Sequence, residues 1–218
     1  MRHNPERPPV QIAILLFPGF TVLDVTGPYE VLTRLPGAEA VLVAERRGPV
    51  TDDRGTLTLV ADATFDEVPR PDVIIVPGGP EGNLPLEPGP AHAWLREADR
   101  HTRWTTSVCT GSLILGAAGL LVGRRATGHW LTLPQLAGYG AEPVDERVVT
   151  DGKYVTAAGV SSGIDMGLML AGRLADDRTA QSIQLIVEYD PQPPYGAGSA
   201  HTAPADIVAE WKAVRGKA

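Results

Sequence analysis

Short runs of apolar and β-branched residues recur along this chain and alternate with stretches of helical period. The strongest runs cover residues 11–17, 72–76 and Trp104–Val108. Unbroken runs of this length read as parallel strands buried on both faces, because a half-exposed strand alternates polar with apolar positions. Weaker strand patterns lie at residues 40–44, 56–60, 148–150 and Tyr154–Ala157. Between them, Pro28 opens a predicted helix through Leu35, since the first turn needs no N–H from it. Further helices are predicted over 91–101, over 111–121 with Gly123 closing it, and over 161–174 and 179–189. A last one, over 204–214, would dock at the C-terminus. This alternation predicts an α/β fold: an open, mostly parallel, flavodoxin-like sheet with helices on both faces. No repeat or composition break divides the chain, so one domain is expected over 1–218, with residues 1–9 as a tail. In such sheets ligands bind beyond the carboxyl ends of the strands. The segments 18–27, 77–82 and 109–111, which leave the three strongest strands, are therefore expected to meet.

Composition narrows the chemistry. The chain carries 26 acidic against 19 basic side chains, a formal charge of −7, which argues against a nucleic-acid surface. The single cysteine, Cys109, excludes an intramolecular disulfide, a CxxC redox pair and a multi-thiolate zinc site. The polar, Pro-rich start has no signal-like apolar stretch, and the first apolar run stops at Pro18, far short of a membrane span. A reducing cytosol is the expected compartment.

Candidate chemistry gathers at the strand ends. In Ser107-Val108-Cys109-Thr110-Gly111-Ser112 a buried strand runs straight into a small-residue helix start, the form of a nucleophile elbow with cysteine in place of serine. The turn pushes the sulfur out of the sheet and the helix N–H groups point at it, so a lowered thiol pKa is expected. A lone cysteine is ordinarily an inert buried hydrophobe; the strand–Cys–x–Gly–helix context reverses that reading. Pro77-Gly78-Gly79 follows another strand, and paired glycines let backbone approach a ligand. The amides of Gly79 and Thr110, with Gly78 beside them, are expected to form a two-donor hole for negative charge. Asp24, in Leu23-Asp24-Val25-Thr26-Gly27-Pro28, is either a cap of the following turn or the proton-transfer partner of Cys109.

Residues 157–163 make a further small-residue strand end, which places Val160 on another wall of the site; close packing is the simpler account of those small residues. His129 is an alternative base, and Asp165 is expected to make a buried hydrogen bond. The five histidines (3, 92, 101, 129, 201) form no HExxH or HxH pattern, so no metal site is expected, and no Gly-rich phosphate loop is present.

With Arg125-Ala126-Thr127-Gly128-His129-Trp130 and Gly163-Ile164-Asp165, these motifs stand in the order seen in the ThiJ/PfpI superfamily, and the chain resembles that family from Gln11 to about Val208. Within it, the resemblance is to the isocyanide hydratase branch. The resemblance implies a class I glutamine amidotransferase-like sandwich, a homodimer, no cofactor, and an isocyanide as small-molecule substrate. It also implies Cys109 as nucleophile, Asp24 as acid/base, and Thr110 flanking the thiolate, with Gly78, Gly79, Thr110 and Val160 at the substrate. Thr110 stands where the amidase branch has His, and Asp24 where many redox-active members have Glu; both differences favour the hydratase. Ala158 departs from that branch, where glycine is common, and affects backbone freedom beside Val160. The competing expectations are another thiol activity (glyoxalase-like or amidase), a ligand sensor of the kind AraC-type regulators carry, and a Cys109 oxidation sensor. A chain ending at Ala218 leaves no room for a helix-turn-helix after the sheet.

Overall fold

The computed structural model describes residues 9–215, so all of the expected tail except Pro9 lies outside the described residues. The first half of the chain runs β1 (Val10–Leu15), α1 (Val22–Leu32), β2 (Ala38–Ala44), β3 (Gly48–Thr51), β4 (Thr58–Ala61), β5 (Ala63–Thr64) and β6 (Val73–Val76). It continues through α2 (Pro90–Asp99), β7 (Trp104–Val108), α3 (Gly111–Ala117), β8 (Arg125–Ala126), β9 (Glu142–Pro143), β10 (Val148–Asp151) and β11 (Tyr154–Ala157). Two helices follow, α4 (Ser162–Leu174) and α5 (Asp177–Ile186).

Seven strands form the main sheet in the order β10-β11-β7-β6-β1-β2-β5. All its pairs are parallel except β10 with β11. The central strands carry the longest apolar runs because both of their faces are covered: Ile12 to Leu15 and Val73 to Val76 are fully buried. From β1 the chain steps to β2 on one side, and from β6 it steps to β7 on the other. Right-handed crossovers then put α1 and α2 on opposite faces. The reversal between β1 and β6 opens a crevice at the carboxyl ends of these strands.

Several boundaries differ from the sequence expectation. Helix α1 begins at Val22, so Pro28 lies inside it rather than in its first turn. The start is set at Thr21, whose carbonyl accepts the Asp24 N–H at 3.1 Å. Tertiary packing outweighs the hydrogen bond that Pro28 omits: a side chain on Gly163 would press on Pro28, and one on Gly167 on Val31, so α4 lies tightly against α1. Helix α3 stops at Ala117, well before Gly123. Gly119 ends it at φ +79°, with Leu120 N–H donating to the Leu115 carbonyl and Gly119 N–H to the Gly116 carbonyl, the paired bonds of a Schellman stop. The strand expected at 56–60 becomes β4, which pairs antiparallel with β3 in a separate ribbon outside the main sheet.

The chain divides into two compact units, one to Val187 and one from Glu188. The second contains α6 (Ala205–Arg215). No helix among the described residues is long and apolar enough to cross a membrane.

Candidate active site

Strand β7 delivers Cys109 to the carboxyl edge of the sheet, and the chain turns there with Cys109 at φ +60°. A left-handed backbone on a non-glycine residue costs about 1–2 kcal/mol and persists only where its surroundings hold it. Here the Cys109 N–H donates to the carbonyls of Ala157 (3.0 Å) and Ala158 (2.9 Å) at the end of β11. On the other side α3 starts at Gly111, where a side chain would stand 2.1 Å from the Val76 carbonyl oxygen. Glycine there lets the elbow press directly onto the end of β6.

The three expected segments converge. Thr21 N–H donates to the Gly78 carbonyl at 2.8 Å, and Gly78 N–H returns a bond to Asp24 Oδ2 at 2.9 Å. Gly79 N–H donates to Thr110 Oγ1 at 2.8 Å, and the Thr110 hydroxyl donates to the Gly79 carbonyl at 2.7 Å. Asp24 is fully buried in the first turn of α1, with Oδ1 meeting no donor in good geometry. It sits within the first turn of α1 but does not cap it: its carboxylate accepts from Gly78 and from no N–H of the helix.

Burial raises the Asp24 pKa to about 7, against lowering by the Gly78 N–H and by the Cys109 thiol; the charge of Asp53 adds to the rise. Burial also pushes the Cys109 thiol up, and the Asp24 charge pushes it further, while the Thr110 amide and hydroxyl pull it down. The expected lowering of the thiol pKa is therefore corrected. Cys109 is only 5% exposed, and at that burial desolvation and a facing carboxylate outweigh the donors of Thr110. The pair behaves as one coupled acid. Moving a proton onto Asp24 removes the charge that opposes the thiolate.

Of the amides expected to form the two-donor hole, that of Gly79 is already engaged in this structure. The N–H groups of Gly78 and Gly79 are committed to Asp24 and Thr110, which leaves Thr110 as the donor residue toward sulfur. Gly78 matters instead for what it lacks. A Cβ there would stand 2.4 Å from Thr110 Oγ1 and 3.0 Å from Asp24 Oδ2. Gly78→Ala is thus expected to lower kcat/KM more than about tenfold, at a stability cost of about 1–3 kcal/mol, as steady-state kinetics and thermal melts will show. Wild-type kinetics would count against this account of the contact.

Val160 is half-buried in the turn between β11 and α4; the residues of that segment that bond to Cys109 are Ala157 and Ala158. His129 is half-buried beside Gly159, whose missing side chain leaves room for the imidazole. Asp165 forms an ion pair with Arg147 at the protein edge, not the expected buried bond. Arg147 also reaches Ser161 Oγ, and its carbonyl accepts the Ala158 N–H at 2.9 Å, which ties this pair to the wall behind Cys109. Two contributors have no sequence signal: Asp53, which raises Asp24 through space, and Phe17, whose ring lies against Gly79. A cavity of about 560 Å³ lies past Phe17 at the ends of β1 and β2, and Cys109 does not line it. Among the described residues no group of three or more His, Cys, Asp or Glu side chains is placed to hold a metal ion.

Known proteins resemble this chain in sequence and fold. The sequence model of the DJ-1/PfpI family matches residues 10–172. The isonitrile hydratase of Pseudomonas putida is 47% identical over 201 residues, 92% of this chain and 88% of that protein. The HTH-type transcriptional regulator CdhR of Pseudomonas aeruginosa is 32% identical over 168 residues, 72% of this chain but 48% of the regulator. Among solved structures, a ThiJ/PfpI family protein from Pseudomonas syringae superposes with a TM-score of 0.93 at 42% identity, covering 98% of this chain and 88% of its own. The matched span holds β1 through most of α4, together with Asp24, Gly78, Gly79, Cys109, Thr110 and Val160, and the chain belongs to the DJ-1/PfpI family.

Proposed function

We propose that this protein hydrates organic isocyanides to N-substituted formamides, R–NC + H₂O → R–NH–CHO. Its similarity to the P. putida isonitrile hydratase supports the reading. The observation that carries it is the fully buried Asp24 carboxyl, one oxygen unpartnered, coupled to a cysteine at a strained strand-to-helix turn.

The terminal carbon of an isocyanide accepts a soft nucleophile and then becomes basic, so catalysis needs a sulfur nucleophile and a nearby acid. The Cys109 proton passes to Asp24 as sulfur attacks that carbon. Asp24 then delivers the proton to the same carbon, giving the thioimidate R–N=CH–S–Cys109. Water adds to the C=N carbon while Asp24 accepts one of its protons. Collapse expels the thiolate, places the water oxygen in the formyl group and leaves the second new hydrogen on nitrogen. The Thr110 amide, on the sulfur, holds charge while the thiolate is free. The thiol must stay reduced, a condition the cytosol provides. Assembly as a homodimer belongs to the same reading.

The test is isocyanide loss with formamide appearance from a simple aryl isocyanide, run beside methylglyoxal and a peptide amide. Turnover of either alternative in preference to the isocyanide would reassign the activity. A pH profile adds a second check. Below about pH 7 both Asp24 and Cys109 hold protons and no thiolate can form; above it the pair holds one. Thus kcat/KM is expected to climb about tenfold per pH unit toward 7 and then level. A flat profile down to about pH 5 would contradict the shared-proton pair.

A further inference from the structure

A second group of unpartnered polar atoms lies outside the Cys109 site, in the cavity of about 560 Å³ at the carboxyl ends of β1 and β2. Leu15, Leu16, Phe17 and Val50, all buried, give this cavity an apolar floor. Another wall is the start of α2, from Gly89 to His92. That helix start is bare. It has no side-chain cap and no acidic residue in its first turn, and Pro90 brings no N–H. The N–H groups of Ala91 and His92 donate to no acceptor among the described residues.

His92 adds a side chain to these donors. It is 1% exposed, yet neither ring nitrogen has a hydrogen-bond partner, and the Glu87 carbonyl faces the ring without closing a bond in good geometry. Burial holds its pKa below the ordinary histidine value, Arg96 adds to the fall, and the Glu87 carbonyl opposes it. The imidazole is thus neutral near pH 7, with one N–H to give and one lone pair to accept. Buried polar atoms are nearly always paired, so a set left open along one cavity marks a place for a ligand.

Charge selects the class of that ligand. Arg47 is held by Glu67 at 2.7 Å, so the charges left on the lining are Arg46 against Glu45 and Glu87. That balance disfavours an anion, and an anion would also leave the imidazole lone pair without a donor. We propose that this cavity binds a small N-substituted amide: its carbonyl oxygen accepts from the N–H groups at the start of α2, its N–H donates to the His92 imidazole, and its apolar substituent rests on Leu15, Phe17 and Val50. The formamide R–NH–CHO of the proposed reaction belongs to this class, whereas an isocyanide, which has no N–H, does not. The site itself rests on the cavity and not on that chemistry.

NMR of the full chain labelled at histidine, titrated with N-phenylformamide, tests it. The His92 ring signals are expected to move and to saturate with a Kd below about 1 mM. His92→Leu is expected to weaken binding, read by calorimetry, at least about tenfold. N-methyl-N-phenylformamide, which lacks the N–H, and benzoate, which carries a charge, are each expected to bind the wild type at least about tenfold more weakly than the amide. Thermal melts confirm that His92→Leu stays folded, and His92→Phe replaces it if it does not. Unmoved His92 signals at about 10 mM amide, or unchanged binding by the variant, overturn the site. Either comparison compound binding as tightly as the amide overturns the ligand class. No turnover is read, so failure of the isocyanide chemistry leaves these outcomes intact.

Discussion

Replacing Cys109 by alanine is expected to end formamide production, a fall on the order of 10⁴-fold or more in kcat, with the fold retained. The size follows from the chemistry: without sulfur no thioimidate forms, and water alone must attack an isocyanide carbon that lacks covalent activation. The fold survives because alanine removes one polarisable atom from a position that the Ala157 and Ala158 carbonyls hold through the backbone N–H. Alanine inherits the strained φ of +60°, so melting temperatures should agree within a few degrees. Cys109→Gly relaxes that strain and is expected to be the more stable of the two, by about 1 kcal/mol. Formamide assays, thermal melts and a mass shift from trapped thioimidate in the wild type are the measurements. Substantial turnover by the alanine variant would remove Cys109 from the mechanism.

Asp24→Asn is expected to cut turnover by about 10² to 10⁴-fold, the usual span for a lost acid/base group. It is also expected to make the protein more stable at alkaline pH. Burial holds the folded-state pKa of Asp24 near 7, above the ordinary carboxylate value of 3.8. A raised folded pKa means that the buried neutral form contributes fully below about pH 4, and that the contribution is lost as pH climbs through about 7. Across that window the wild type should lose on the order of 4 kcal/mol, since the shift spans about three pKa units and each is worth about 1.4 kcal/mol. Asparagine keeps an acceptor for the Gly78 N–H and carries no charge, so it removes the loss. The gap in melting temperature between variant and wild type should therefore widen from about pH 5 to about pH 8. A constant gap would mean that Asp24 titrates normally, and near-normal turnover would end its role as proton carrier. A site residue whose replacement stabilises the fold is the pattern expected where function opposes stability.

How far these residues were legible depended on the range of the physics involved. The elbow could be read because its parts are local: a buried β7, then Cys109, then Gly111 opening a helix. Asp24 could be placed at the right edge because parallel topology sends every strand's carboxyl end to one side. That Oδ1 is left without a donor, and that Asp53 presses on it through space, depends on contacts absent from any sequence window. The engagement of the Gly79 N–H was hidden for the same reason. Two adjacent glycines advertise free N–H groups, but Thr110, 31 positions away, accepts one of them.

The sequence by itself determined the α/β alternation, the three strand ends that meet, the lone thiol at one of them and the family resemblance, because apolar runs, turn residues and motif order are properties of neighbouring positions. Only the tertiary structure decided which charges face Asp24 and Cys109, which amides are already engaged and how deeply Cys109 is enclosed. Those are matters of desolvation and of charges brought together from distant parts of the chain, and the same fold that aims the sulfur outward from the sheet also withdraws it from water.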